Sequence, residues 1–431
     1  MRVPVKAVRD NRSCVATNLD RLLNNPRSIG RRFRLVWTAV MVSSTGDGMF
    51  VTAFPLLAAS LTRDPLLIAG VTIASRLPWL FAMISGAIAD RTDRRRLMIA
   101  ADLFRLLMVG GLALLIALSA VHVWMLYVCA FLLGAAETLH VNAAQAMLPI
   151  IVRDEQLLDA NARFASAQVA ASQFAGPPLG STLFNAAASL PFVADALSFA
   201  GSAVLIAQLP DEHRVERPTT RLRADMREGF EFIRRHRAMR RMASVLAIIN
   251  FFYFAAIALL VLYTSQQLHS GKVVYTALFI GAASGTVISR WFVAPLTRRL
   301  GLVRTLAVSF WMWALSVVGL AITDNGLIAI AMFVVLGFGN GLWLTLNTTL
   351  RQRFTPNRLL GRMNAAYRTV SWGVVPFGAA FGGAFARLFG LRAPFIAAAV
   401  VLMAIAVFAG PLMRPVRDAD AEDNRIRQQA R

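Results

Sequence analysis

Cysteine, lysine, matched histidines and water-loving surface are all in short supply in this sequence. Its two cysteines are Cys14, in a polar N-terminal stretch, and Cys129, inside an apolar run, so no disulfide and no zinc or haem spacing is expected. The five histidines, His122, His140, His213, His236 and His269, are scattered, with no carboxylate at a matching interval. That leaves no acid–base pair or metal set around which an enzyme would be built. No glycine-rich loop follows a strand, which argues against ATP hydrolysis. Catalytic residues, metals and cofactors are therefore not expected, and a membrane enzyme or receptor is the weakest of the competing readings. Charged residues make up 16% of the chain, against about 25% in a soluble domain. Only Lys6 and Lys272 are lysines; arginine supplies the rest of the positive charge.

What the chain has instead is apolar length. Hydrophobic residues make up 57%, and the mean hydropathy is +0.57. Runs of about 20 apolar residues are long enough to cross a bilayer as helices. In hydrocarbon every backbone polar group must be bonded within its own segment. Twelve such runs can be marked: 35–61, 66–89, 97–120, 123–148, 164–188 and 190–209, then 242–262, 274–293, 302–322, 326–346, 365–385 and 394–412. The expected fold is all-α and polytopic, with twelve transmembrane helices in two six-helix bundles, 35–209 and 242–413. A polar connector, 210–241, joins them, and tails 1–34 and 414–431 are expected to be disordered.

The net charge of +22 does not imply nucleic acid, because the basic residues sit in short stretches between apolar runs. The N-terminal stretch, the loop at Arg91, Arg94, Arg95 and Arg96, and the even-numbered loops that follow are rich in arginine. The odd-numbered loops are poor in it, apart from Arg387 and Arg392. This alternation places both ends and the connector in the cytoplasm of an inner-membrane protein. No cleavable signal peptide is expected, since the basic stretch and the first apolar run are both too long for one. Within the connector, Met226, Phe230 and Ile233 recur at helical spacing among basic residues. That pattern suits a helix lying on the inner leaflet, or equally a solvated linker helix.

The halves echo each other. Arg153–Asn161 parallels Thr355–Asn364, and Gly176-Pro-Pro-Leu-Gly180 parallels Gly378-Ala-Ala-Phe-Gly382. Such duplication places a substrate site between the bundles near mid-membrane. The loop after the second run reads Gly86-Ala-Ile-Ala-Asp90-Arg91-Thr-Asp-Arg94-Arg95-Arg96. It resembles the major facilitator signature G-x-x-x-D-R-x-G-R-R, with Asp93 at the second glycine position. A carboxylate there can cap a helix or pair with an arginine in only one of two states, which suits a latch. The resemblance implies gating roles for Gly86, Asp90, Arg91 and Arg94, with the acid facing the region of Gly361 and Arg362. Ser43–Gly48, Phe192–Phe199, Gly361–Arg368 and Trp372–Gly383 narrow the likeness to the branch of enterobactin exporters and macrolide-efflux pumps, called transmembrane secretion effectors. That resemblance implies proton-driven export of a small organic compound by a monomer in a lipid bilayer. An uptake permease of the same fold is the alternative.

An ionisable group at mid-bilayer costs about 2.5–3.5 kcal/mol on insertion scales, so it is a functional candidate. Asp47, in a notch of serines and glycines, and Glu137, in the fourth run, each lie roughly 21 Å from the outer face by helix rise. They suit proton coupling or a cationic substrate. Arg76, roughly 15 Å deep, is a coupling candidate too, or else the partner of Asp47 in a purely structural ion pair. His140 or Asn142 is the expected hydrogen-bond partner of Glu137, and Arg105 and Asp195 are expected to be structural. The second half offers Asn250, Tyr253, Asn340, Asn347, Tyr367 and Trp372 as possible substrate contacts.

Overall fold

The computed structural model describes residues 30–81, 85, 86, 88, 92–153, 156–210, 222–356 and 359–429, and no strand occurs among them. The apolar runs form α1 (Arg31–Leu61), α2 (Pro65–Arg76), α3 (Arg94–Ala117) and α4 (Val123–Ile151). The fifth run is α5 (Leu157–Val169) and α6 (Gly176–Ala186), joined by a π turn at Ala170–Ala175, and α7 (Leu190–Ala207) follows. The connector helix α8 (Leu222–Arg235) leads to α9 (Arg237–Ile257), α10 (Lys272–Leu300), α11 (Leu302–Ile322) and α12 (Gly326–Phe354). The eleventh run is α13 (Leu360–Trp372) and α14 (Val375–Phe389), followed by α15 (Ala393–Val407) and a tail helix, α16 (Arg414–Gln429). Nine described helices are long and apolar enough to cross a membrane, and Pro65–Phe81 and Ala393–Val407 are shorter apolar helices. Together with the broken fifth run they agree with twelve crossings.

The helix ends follow from local chemistry. Asp64 caps α2 by accepting the Leu66 N–H at 2.8 Å, with Pro65 in the first turn. Asn325 caps α12 through the Leu327 and Ile328 amides. Gly301, at φ +79°, ends α10 in a conformation that other residues rarely adopt.

The breaks in the fifth and eleventh runs also have a cause. Pro177 and Pro376 lie in the first turns of α6 and α14, where a missing N–H loosens the preceding turn. Each outer segment then packs on its neighbour through glycine. A Cβ on Gly176 would stand 2.5 Å from the Gly48 Cα, and one on Gly378 would stand 2.3 Å from the Phe251 carbonyl oxygen. The sequence echo between Gly176–Gly180 and Gly378–Gly382 is thus a repeated crossing, α6 on α1 and α14 on α9.

One expectation needs correction. The tail is helical to Gln429, because Met413 and Val416 are fully buried and Arg353 holds Asp420 at 3.1 Å. The connector helix packs against α13. Ile233 is buried, and Gly229 is so close to α13 that a Cβ would meet the Arg362 carbonyl oxygen at 2.4 Å. The two arginines that broke the loop pattern are neutralised where they sit. Arg387 is 3.7 Å from Asp64, and Arg392 pairs with Asp324 and donates to Gln267 at 3.1 Å.

Candidate functional site

A cavity of about 200 Å³ lies between the two groups of helices. Its charged lining comes from the first half: Asp47 on α1, Arg76 on α2, Arg105 on α3, Glu137 on α4 and Asp195 on α7. The facing wall is apolar and comes from Phe254 and Ile257 of α9, Ala258, Val261, and Tyr275 and Phe279 of α10. On the far side from the connector and tail helices the space is shut. Gly383 of α14 meets Ala69 and Leu66 of α2, and the Lys272 ammonium lies 4.7 Å from the Phe184 ring centre.

The charges form a chain. Asp47, with 33% of its side chain exposed, lies 3.4 Å from the Arg105 guanidinium. Arg105 is 2% exposed and donates to Asp102, which is fully buried, at 2.5 Å. Asp102 also faces His140 of α4, whose Nδ1 is 3.1 Å away. The guanidinium rests on the Phe199 ring at 4.1 Å, a contact of about 2 kcal/mol when desolvated. Glu137, one turn from His140, lies within electrostatic reach of Asp47 and Arg105. Asp195 is 1% exposed and accepts from the Ser198 hydroxyl.

The structure therefore brings Asp47, Glu137 and Arg76 to one cavity, but the ion-pair partner of Asp47 is Arg105 and not Arg76. The partners expected for Glu137 are engaged elsewhere: His140 faces Asp102, and Asn142 donates to Ser85 at 2.7 Å. Sequence reasoning missed Asp102 altogether. The available signal was the acid–base pair Asp102/Arg105 at i, i+3, inside an apolar run.

None of the six second-half contact candidates lines this cavity. Asn250 donates to the Ser371 carbonyl at 2.7 Å, and Tyr367 donates to Asn347 at 2.9 Å, so all three side chains tie helices together. Tyr253 meets Phe254 edge-on, Trp372 lies tilted against the same ring, and Asn340 is exposed. Composition names polar groups but not the helix face they occupy.

Of the gating set, Asp90 and Arg91 lie outside the described residues. Gly86 is helical beside Asn142, and Arg94 opens α3. Asp93, the departure from the signature, caps α3 by accepting the Arg96 N–H at 3.1 Å. Arg95 donates to the Ala207 carbonyl at 2.7 Å and so closes the end of α7. Gly361 faces open space, and Arg362 pairs with Glu228 of the connector helix.

The family described as transmembrane secretion effector matches residues 28–430. The chain belongs to this branch of the major facilitator superfamily. It is a multi-pass membrane transporter and not an enzyme. Macrolide efflux protein A of Streptococcus pyogenes is 22% identical over 396 residues, spanning 90% of this chain and 97% of that one. Multidrug efflux pump Tap of Mycolicibacterium fortuitum is 25% identical over 403 residues, spanning 90% and 96%. The fold is shared with the nucleoside transporter NupG, at TM-score 0.72, 10% identity, and 89% and 100% coverage. It is also shared with a bacterial homologue of the lysosomal transporter Spinster, at TM-score 0.70, 12% identity, and 89% and 96% coverage.

Proposed function

We propose that this transporter expels a small amphipathic organic compound, such as a drug, siderophore or other secondary metabolite, in exchange for protons. It does so by alternating access across a bacterial inner membrane, with both chain ends in the cytoplasm. One observation carries the reading. Asp47 opens onto the cavity and shares a single buried guanidinium with a second carboxylate, Asp102.

Four acids, Asp47, Asp102, Glu137 and Asp195, are gathered around two arginines, Arg76 and Arg105. In a medium of low dielectric, carboxylates that share one counter-charge cannot all stay ionised, so the cluster binds protons. How readily it releases them depends on whether the cavity meets water, and on which side. That dependence is the coupling. The aromatic far wall suits a ligand with an apolar body. At about 200 Å³ the cavity is smaller than the roughly 300–1,000 Å³ typical of drug-sized sites. Binding therefore accompanies further separation of the helix groups. The names of the relatives, a macrolide efflux protein and a multidrug efflux pump, support export over uptake.

The test uses purified protein in liposomes with an imposed pH gradient, following an amphipathic fluorescent dye and a macrolide. Asp47→Asn is expected to insert normally and lose gradient-driven flux. Flux equal to the unmodified protein in that variant defeats the reading.

A further inference from the structure

We propose that His140 is a second proton-holding group of the transport cycle, and that Arg105 passes between Asp102 and Asp47 according to whether His140 is protonated. The proposal rests on the reading of Asp47 as the coupling acid.

The geometry is that of one permanent cation between two carboxylates, with a switchable cation behind one of them. Arg105 reaches Asp102 through Nη2 at 2.5 Å and Asp47 through Nη1 at 3.4 Å. Its two arms thus already address both acids. Behind Asp102, His140 is 4% exposed and its Nδ1 is 3.1 Å from the same Oδ1 that Arg105 contacts. Both ring nitrogens of His140 are buried, and neither makes a well-directed hydrogen bond, so Nδ1 meets Asp102 by proximity alone. A buried imidazolium is tolerable only beside a carboxylate, and Asp102 supplies one.

Two arrangements of one proton then have equal net charge. In the first, the proton is on the Asp47 carboxyl, Arg105 is held by Asp102, and His140 is neutral. In the second, the proton is on His140, the imidazolium is held by Asp102, and Arg105 is held by the Asp47 carboxylate. Passing between them removes a proton from the Asp47 carboxyl and adds one to the imidazole; the net charge is unchanged, and the two new charges are each held by an opposite one, the carboxylate by Arg105 and the imidazolium by Asp102. The first arrangement leaves Asp47 uncharged at the cavity wall; the second presents an ion pair there. Substrate in the cavity meets a different surface in each.

The other charged or polar groups around the switch are Glu137 on the helix of His140, Asp195 and Ser202 on α7, and Arg76 on α2. Glu137, Arg76 and Asp195 face the cavity, and Ser202 is buried beside Asp102. None of them stands between His140 and Asp102 as an alternative cation. His140 is a positioning residue on this account, since it acts through Asp102 and Arg105.

The experiment counts protons taken up by the purified, detergent-solubilised transporter between about pH 8 and about pH 5. Asp47→Asn with His140→Gln is expected to take up about one proton fewer per chain than Asp47→Asn alone, and efflux in liposomes by His140→Gln is expected to lose the matching limb of its pH profile. An unchanged count and an unchanged profile overturn the proposal. Should His140→Gln fail to fold, ¹⁵N NMR of histidine-labelled wild-type protein decides the matter, with His140 assigned by replacing the other four histidines singly. An imidazole that changes protonation over the range supports the proposal, and one that stays neutral overturns it. Loss of that proton in the double variant, with no flux of any compound by the wild type, defeats the export reading and leaves this one standing. Normal flux with an unchanged count does the reverse.

Discussion

Replacing Arg105 tests the heart of the site. Its side chain is 2% exposed, contacts Asp102 at 2.5 Å and Asp47 at 3.4 Å, and lies 4.1 Å from the Phe199 ring. Arg105→Gln removes the strongest partner of a fully buried carboxylate. Breaking a buried pair by deleting one member costs about 3–5 kcal/mol, because the remaining charge is left uncompensated. Lysine should not rescue it, since one ammonium cannot reach two acids as the two Nη groups do. Asp102→Asn alone is expected to cost less, because Arg105 keeps Asp47. The double variant, Arg105→Gln with Asp102→Asn, removes both charges together and is expected to be more stable than Arg105→Gln alone. A coupling of roughly 2–3 kcal/mol is expected, at the upper end for residues in contact. Thermal unfolding of the purified protein in one detergent, with all four proteins side by side, reads the comparison. A double variant at least as destabilised as the sum of the singles refutes the pairing.

Two further predictions lie away from the charges. Gly383→Leu places a Cβ 2.7 Å from the Ala69 Cβ and 3.0 Å from the Leu66 Cα, which forces α14 from α2 on the shut side. Labelling of a cavity cysteine by an impermeant maleimide from that side is expected to rise, and unchanged labelling argues that this contact does not hold the closure. His236 caps α9 through the Met239 N–H at 3.4 Å and stacks between Phe232 and Phe354. Burial pushes its protonation below the ordinary imidazole range near 6.5. Its stabilisation is therefore complete above about pH 6.5 and is lost as pH falls through the depressed value. Protection against hydrogen exchange at the start of α9, taken relative to the intrinsic rate at each pH, should fall on acidification, and His236→Phe should abolish that dependence; equal acid sensitivity in the variant removes His236 as the cause.

Much of the fold is legible in the sequence because a bilayer enforces it. Apolar length gives the helices, and the alternation of arginine gives their order. The exceptions to that alternation, Arg387 and Arg392, were readable only once Asp64, Gln267 and Asp324 were seen beside them. Asp47 and Glu137 were legible because each interrupts an apolar run. Counting residues gave their depth but not their direction around the helix axis, so Arg76 was offered as the partner of Asp47 and Arg105 was not. Asp102 was legible only through its i, i+3 spacing from Arg105, because it stands a few residues past the Arg94–Arg96 cluster, where an acid reads as interfacial. Its burial depends on His140 from α4 and Ser202 from α7. The tail helix was missed because its fixed point is two residues, Met413 and Val416, in an otherwise polar stretch.

The two halves share an architecture but not a chemistry, and the repeated crossing shows where they part. Gly176 meets Gly48 in one half, and Gly378 meets Phe251 in the other. By that register the counterpart of Asp47 is Asn250, a neutral side chain whose amide is spent on the Ser371 carbonyl. The acids, the guanidinium and the imidazole belong to α1, α3, α4 and α7, all in the first half. This one-sidedness has an energetic consequence. A cycle that rocks one half against the other changes what faces the cavity, but it need not pull apart any desolvated ion pair, a step that would cost about 3–5 kcal/mol for each. Had Asp47 and Arg105 sat on opposite halves, every turnover would have had to break their contact. With both in one half, the barrier to such rocking is left to apolar contacts such as Gly383 on Ala69 and to the rim pair of Asp64 with Arg387.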